Sequence, residues 1–403
     1  MTDDMVHDIE AMAGQLVEWR RDFHRHPELA FEERRTSASI RPFLEECGIE
    51  VRTCAGTGLR GVLEGARGGP TVALRADMDA LAITEETGAE YRSQNPGVMH
   101  ACGHDGHMAI LMGTARLLSR HRATLPGRVV FLFQPAEEDP PGGAKRMIEE
   151  GALEGVDRIF GLHLWQPMPS GIVGLRAGAL MAQADKFRVV VRGRGGHASQ
   201  PHGAVDPVLV ASHVVVAAQS IASRFIDPLV PVVVSFTTVH GGCAHNIIPD
   251  TVTLTGTVRV LGADVQRAVK QRLRNVCEQT CRAFGATAEF EYEDGYPPVV
   301  NDAAMADLVT RVAKRELGEC RVTTMEPVMG GEDFASYLQH VPGAFAFLGI
   351  GSSTSHPHHS ARFDIDEAVL PLGVRLMTAV ALEALAQGGR DPLRRLQICH
   401  SVS

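Results

Sequence analysis

Eight residues, 100–107 (HACGHDGH), constrain this chain more than any other stretch. They contain one thiol and three imidazoles, with Asp105 and two glycines between them. Thiolate, imidazole and carboxylate are the ligand set that holds zinc and its first-row neighbours. The next residues, 108–120 (MAILMGTARLLSR), carry apolar side chains at helical spacing. The motif therefore opens a helix. A thiol at a helix mouth feels the positive end of the dipole, which lowers its pKa and favours thiolate. Cys102 and His104 read as metal donors. His100 and His107 stay open between ligand and structural roles. One histidine in isolation is more often structural; four donors in eight residues, with more downstream, point to a metal.

The length of 403 residues implies two or three domains and ample core. A net charge of −9, with no basic block to replace phosphate counterions, argues against a nucleic-acid partner. No apolar run approaches the roughly 18 residues of a membrane span, so no membrane partner is expected. The start, MTDDMVHDIE, is acidic and has no apolar signal core, which makes a cytoplasmic location the expectation. Eight cysteines (Cys47, Cys54, Cys102, Cys243, Cys277, Cys281, Cys320, Cys399) form no disulfide-like framework and read as mostly reduced thiols.

Periodicity predicts one amphipathic helix over 5–24, broken at Pro27, and a second over 34–46. Strands follow at 50–54, 59–64 and 71–75. After the helix from 108 comes RVVFLF (128–133), a continuous apolar strand of the buried, parallel type. A helix at 143–151 leads to the strand RIFGLHLW (158–165). Strands alternating with helices predict an α/β fold, a mostly parallel sheet in an α/β/α catalytic domain. From 183 the pattern changes to β-α-β-β-α-β, the ferredoxin-like order, over about 110 residues. This reads as an inserted α+β domain. The expected division is 1–182, 183–294 and 295–403, with the α/β pattern resuming in the third part through a strand at 344–350 and a helix at 367–387. The tail from Gln387 reads as lightly packed.

The polar groups gather where strands stop. Cys102 and His104 come first, Glu137 and Glu138 follow RVVFLFQPA, His163 closes RIFGLHLW, and His358 and His359 follow AFAFLGIGSSTSHP. In open α/β sheets the carboxyl edge is where ligands bind. Cys102, His104, Glu138, His163 and His359 make five ligands. With one of them bridging and a shared water, they suffice for two four-coordinate metals. Such a pair lowers the pKa of water and polarises a carbonyl. Of the adjacent glutamates, one can bind metal while the other faces the water as general base.

HACGHDGH, FQPAEE, GLHLW, GRGGHAS, HNIIPD, GGEDF and HHSARF occur in the order and spacing of the amidohydrolase branch of the metallo-aminoacylase/carboxypeptidase family, which this chain resembles nearly throughout. That branch includes hippurate hydrolases, N-acyl-amino-acid amidohydrolases and plant auxin-conjugate hydrolases. The resemblance implies Cys102, His104, Glu138, His163 and His359 as ligands and Glu137 as general base. It implies a lid and dimerisation role for the inserted domain, and hence a homodimer. It also implies that His197, in GRGGHAS, stabilises the tetrahedral oxyanion, and that Asn246 and Arg259 contact the substrate's carbonyl or carboxylate; an Arg fork suits a free α-carboxylate. Carboxypeptidase-like members carry His-x-Asp where this chain has Arg75-Ala76-Asp77. Arg75 cannot ligate, so Cys102 and His104 must supply what that histidine supplies elsewhere, and Asp77 reads as structural. Glu332 and Asp333 read as pocket-shaping or structural.

The function expected is hydrolysis of the amide of an N-acyl amino acid by a metal-activated water, with two divalent ions (Zn, Mn, Co or Ni). A dipeptidase or carboxypeptidase on the same scaffold is the second reading. A catalytically silent binding protein is the third; its sign would be a lost ligand or base, and every matched position is kept.

Overall fold

The computed structural model describes residues 1–388. Two compact units are distinguished: 1–178, 300–326 and 333–388 form the first, 179–299 and 327–332 the second. Residues 389–403, including Cys399 and most of the tail expected to pack lightly, lie outside the described residues.

The first unit begins with helices α1 (Asp3–Ala11), α2 (Ala13–Arg25) and α3 (Arg34–Glu46). The single helix expected over 5–24 is thus two, divided at Met12. Both still bury one stripe (Met5, Ile9, Leu16, Phe23), because the apolar spacing survives the break. Strands β1 (Glu50–Cys54), β2 (Gly58–Glu64) and β3 (Arg67–Asp77) follow, then α4 (His104–Arg120), β4 (Pro126–Gln134), α5 (Gly143–Glu149), β5 (Arg158–Pro169) and β6 (Val173–Leu175). Helix α4 starts four residues before the expected Met108. Gly103 at φ +93° makes the turn into it, a conformation open to glycine at little cost.

The chain then enters the second unit: β7 (Gln183–Arg192), α6 (Pro207–Ala218), β8 (Val232–His240), β9 (Thr251–Val260), α7 (Ala263–Ala283) and β10 (Thr287–Glu293). It returns with α8 (Ala303–Leu317), β11 (Val322–Thr324), β12 (Gly343–Gly351) and α9 (Leu370–Ala386).

The first unit's sheet has eight strands in the order β1-β2-β4-β3-β5-β12-β6-β11. Its centre, β4-β3-β5-β12, is wholly parallel, and antiparallel pairs lie toward the two sides. In β4, Val129, Phe131 and Phe133 join the core under α4 and α9, while Val130 and Leu132 are buried outside that cluster. The strand is covered on both faces, which is why RVVFLF is apolar without alternation.

The second unit's sheet is antiparallel, in the order β8-β9-β7-β10. On β9, Val252, Leu254, Val258 and Val260 pack with Val210 and Val214 of α6 and with Val269 and Leu273 of α7. Thr251, Thr253, Thr255, Thr257 and Arg259 alternate with them and are half-buried. This is the half-exposed alternation expected of a ferredoxin-like sheet.

Two helical stretches, Pro207–Phe225 and Glu367–Ala386, reach the length and apolarity of a membrane span. The expectation that no run approaches that length is corrected here. Of the span-like windows, 67% of the second and 28% of the first are buried within the fold.

Candidate metal and hydrolytic site

The four strands that carry or precede the candidate donors are neighbours in one parallel stretch of sheet. Their carboxyl ends share an edge, so side chains up to about 260 residues apart in sequence meet there. Cys102, His104 and His163 offer ligand atoms all within 4.8 Å of one another. Cys102, Glu138 and His359 form a second such group, and His104, Glu137 and Glu138 a third. The five donors expected and Glu137 thus fall into overlapping triads. Cys102 belongs to two of them, as does His104.

Four of the five donors, His104, Glu138, His163 and His359, are held by the backbone amide or by the other ring nitrogen. His104 donates from Nδ1 to the carbonyl of Asp79 at 2.8 Å. Its Nε2 is buried without a hydrogen-bond partner, 3.8 Å from Asp77 and 3.9 Å from Glu138. A buried, unpartnered nitrogen that faces carboxylates suits a cation. Burial opposes charge on this imidazole, but Asp77, Asp79 and Glu138 outweigh it and push the pKa up to about 10. His163 donates from Nδ1 to Leu164 O at 2.8 Å, which leaves Nε2 3.6 Å from Cys102 Sγ. Burial and the neighbouring His107 and His358 hold its pKa well below the ordinary value, so it stays neutral as a ligand must. His163 lies within β5 rather than at its end, because β5 runs on to Pro169.

His359 sits 3.2 Å from Glu138 Oε1, at φ +63°, with its amide bonded to Ala101 O. Glu137 is buried, and Ala136 before it takes φ +52°. Left-handed backbone is costly for a residue with a Cβ. It turns the chain sharply after β4, so that the two glutamates leave the sheet edge together.

Cys102 departs from expectation. Burial raises its pKa well above the thiol value, and the Glu138 and Glu137 carboxylates add to this. The helix dipole is outweighed, and only a bound cation would reverse the local sign and hold a thiolate.

The groups left open are now placed. His107 donates from Nδ1 to Asp77 at 2.6 Å and accepts the Leu164 amide at Nε2, 2.8 Å away. Both of its nitrogens are engaged within the protein. His100 is fully buried with neither nitrogen hydrogen-bonded, and burial lowers its pKa to about 3. Asp77 also takes Arg75 Nη1 at 2.5 Å. Arg75 reaches Gln134 and Asp333 as well, each at 2.8 Å, which makes it the centre of a buried polar knot beneath the donors. Asp333 is part of that knot, and Glu332 is buried. Asp79 carries a role that sequence reading did not single out. Its carbonyl orients His104 and its carboxylate accepts the Glu138 amide at 2.9 Å. The only signal was a second acid two residues beyond Asp77.

In the second unit, His197 and Ile247 pair across a short two-stranded ladder. The amide of Ala198 bonds Asn246 O at 3.1 Å, so His197 and Asn246 lie together on an exposed surface. His197 Nδ1 accepts from the Ser199 amide at 3.1 Å and lies 2.8 Å from its hydroxyl. An amide can only donate, so the neutral ring carries its proton on Nε2. Arg259 stands on another strand, β9, lining a groove of about 570 Å³ with Lys186, Arg188, Thr255 and Thr257. Burial lowers its pKa.

Comparison with known proteins gives a consistent picture. The family model described as peptidase family M20/M25/M40 matches residues 73–383. Thermostable carboxypeptidase 1 of Saccharolobus solfataricus is 40% identical over 390 residues, which is 95% of this chain and 98% of that protein. N-acetyl-L-cysteine deacetylase of Bacillus subtilis is 43% identical over 363 residues, 90% of this chain and 86% of that one. The crystal structure of the Bacillus subtilis YXEP protein, a dinuclear metal binding peptidase from the M20 family, superposes with a TM-score of 0.83 at 37% identity, covering 94% of this chain and 99% of that one. With matches of this breadth and identity, the chain belongs to peptidase family M20/M25/M40.

Proposed function

We propose that this protein is a metal-dependent amidohydrolase that cleaves N-acyl amino acids to a carboxylic acid and a free amino acid. The observation that carries the reading is the meeting of Cys102, His104, Glu138, His163 and His359 in overlapping triads beside Glu137, with His104 Nε2 buried and unpartnered. This donor set fits two divalent ions, Zn, Mn, Co or Ni, which Cys102, His104, Glu138, His163 and His359 would hold. When bound, the ions would activate water and polarise the acyl carbonyl.

The chain's own residues supply the rest. Glu137 takes a proton from the attacking water and passes it to the leaving amine, as a buried carboxylate at the donor cluster suits. His197, presenting Nε2–H because Ser199 occupies Nδ1, donates to the oxyanion. Asn246 and Arg259 receive the carbonyl and α-carboxylate of the amino-acid half. The second unit serves as lid and dimerisation domain, separated near 183 and 294. Exposed Leu209, Val216, Phe225 and Leu229 give it the apolar surface a homodimer would cover. Seven free cysteines among the described residues suit a cytoplasmic enzyme.

The deacetylase relative supports the acyl-amino-acid class. The carboxypeptidase relative supports a second reading, a peptidase on the same scaffold, and side-by-side rates on N-acetyl, N-benzoyl and dipeptide substrates separate the two. The decisive test is metal analysis with hydrolysis of N-benzoylglycine and N-acetylmethionine, before and after chelation. About two metals per chain, with activity lost on chelation and restored by one ion, is the expected outcome. Glu137→Gln should keep its metal and lose roughly 10²–10⁴-fold in kcat. Near-normal turnover in that variant would refute the mechanism.

A further inference from the structure

We infer that Glu33 is a positioning residue for the general base, holding the turn that carries Glu137 by gripping the amide of Ala136. Glu33 is fully buried. Its Oε1 accepts the Ala136 amide at 2.9 Å and the Phe31 amide at 3.0 Å. Its Oε2 receives the Thr57 hydroxyl at 2.5 Å. Ala136 and Phe31 are two of only four non-glycine residues with positive φ among those described, at +52° and +61°. One carboxylate oxygen therefore binds two backbone groups in a conformation that side-chain-bearing residues rarely adopt.

Asp79 holds the far side of the same turn through the Glu138 amide, 2.9 Å from Oδ2. Glu137 is the residue between these two anchored amides. It is fixed from outside itself, by one acid more than 100 residues upstream and a second about 60 residues upstream. A buried amide has no water to replace a lost acceptor. Removing Oε1 from reach leaves Ala136 free to relax from its left-handed state, and the Glu137 carboxylate moves with it. Displacements near 1 Å at a reacting group cost about 10²-fold in rate.

Burial raises the Glu33 pKa to about 7. Either protonation state keeps Oε1 as an acceptor, because the proton of the acid form can sit on Oε2 against Thr57 Oγ1. The inference rests on Glu137 acting as the base, so the test separates the two ideas. Glu33→Asp keeps the charge but withdraws the oxygens by one methylene. Glu33→Gln removes the charge but leaves a carbonyl oxygen at the Oε1 position. Both are loaded with metal, alongside wild type and Glu137→Gln.

Three quantities are measured: metal content, kcat and KM for N-acetylmethionine, and hydrogen–deuterium exchange of the peptide containing Ala136. Glu33→Asp should keep wild-type metal content and a KM within about two-fold, while kcat falls about 10- to 100-fold and Ala136 exchanges faster. Glu33→Gln should stay within about three-fold of wild type and keep Ala136 protected. Unchanged exchange in Glu33→Asp, or turnover within three-fold of wild type, overturns the inference. So does a Glu33→Gln protein as impaired as Glu33→Asp, which would assign the role to charge, or a kcat loss that merely follows metal loss. Should wild type hydrolyse no N-acyl amino acid, the functional reading fails and the exchange result alone decides the role of Glu33.

Discussion

His107 uses both ring nitrogens inside the protein: Nδ1 donates to Asp77, and Nε2 accepts the amide of Leu164. That amide follows His163 in the chain, and Leu164 O receives both His163 Nδ1 and His358 Nε2, at 2.8 and 3.0 Å. The imidazole is thus a strut that sets the height of β5 at the donor His163. Groups that orient a metal ligand in this way are typically worth about 10- to 100-fold in metal affinity. His107→Ala should therefore weaken metal binding by about that factor, yet give kcat close to wild type once metal is saturating. Cys102→Ala removes a donor shared by two triads and should abolish stoichiometric binding. Isothermal titration with Zn or Mn, paired with turnover at excess metal, distinguishes strut from ligand; equal losses in the two variants would contradict this division. At this scale the sequence shows residue chemistry but not its partners. Four donors in eight residues mark the centre. Whether His104 or His107 keeps a ring nitrogen for a metal depends on the Asp79 and Leu164 backbone, which leaves no mark in composition. The expectation of an acidic Cys102 thiol fails for the same reason, since burial first, and then carboxylates that follow another strand, oppose the helix dipole.

Among the elements, α2 and α4 are joined by a buried ionic knot. Arg20 of α2 is fully buried and donates to Asp105 in the first turn of α4 at 2.8 Å, to Asp364 at 2.7 Å and to Glu367 at 3.1 Å. His24 lies 2.7 Å from the same Asp105 oxygen. This knot fixes the start of the helix whose mouth carries Cys102 and His104. Burial alone would raise the pKa of Asp105, but Arg20 and His24 hold it well below the carboxylate range. A depressed carboxylate stabilises the fold above its unfolded pKa of about 3.9, and that stability is lost as pH falls toward the folded value. Arg20→Met leaves Asp105 buried without its main partner and should cost about 3–5 kcal/mol at pH 7. Urea unfolding at a series of pH values checks this. The gap from wild type should narrow below about pH 4, where Asp105 protonates in the unfolded chain. A gap independent of pH would mean that Arg20 contributes packing alone. Element existence was legible where patterns were long: the apolar run of β4, the strict alternation of β9 and the period of α7. Element ends were not. Helix α4 starts at His104 because Gly103 adopts positive φ, and the break at Met12 leaves the apolar stripe of α1 and α2 in phase. Three-residue strands such as β6 and β11 exist only through their neighbours.

Over the whole molecule, the candidate donors all belong to the first unit, which the chain leaves at 178 and rejoins at 300. The sequence shows this division because the hydrophobic pattern changes from continuous buried runs to strict alternation, a difference between strands covered on two faces and on one. It does not show which strands become neighbours. That depends on the order β4-β3-β5-β12, which gathers donors from four separate stretches onto one edge. A site assembled so widely couples metal binding to the stability of one unit. Binding to the folded state alone stabilises by about 4 kcal/mol when free metal exceeds Kd a thousand-fold, and that energy resides where the ligands are. Removing metal with a chelator should speed amide exchange in residues 100–107, 134–138, 160–166 and 356–361, together with the strands that bear them. Exchange within 183–294 should be unchanged, since none of the five donors lies there and Asp185 anchors that unit internally, accepting Gln183, Gln266, Tyr292 and the Gly295 amide. Exchange mass spectrometry with and without chelator reads both units in one experiment. Equal loosening of the two would show that metal holds the chain as a single cooperative body; a change confined to the donor segments would show that the insertion folds on its own account and that metal affinity can be tuned without altering it.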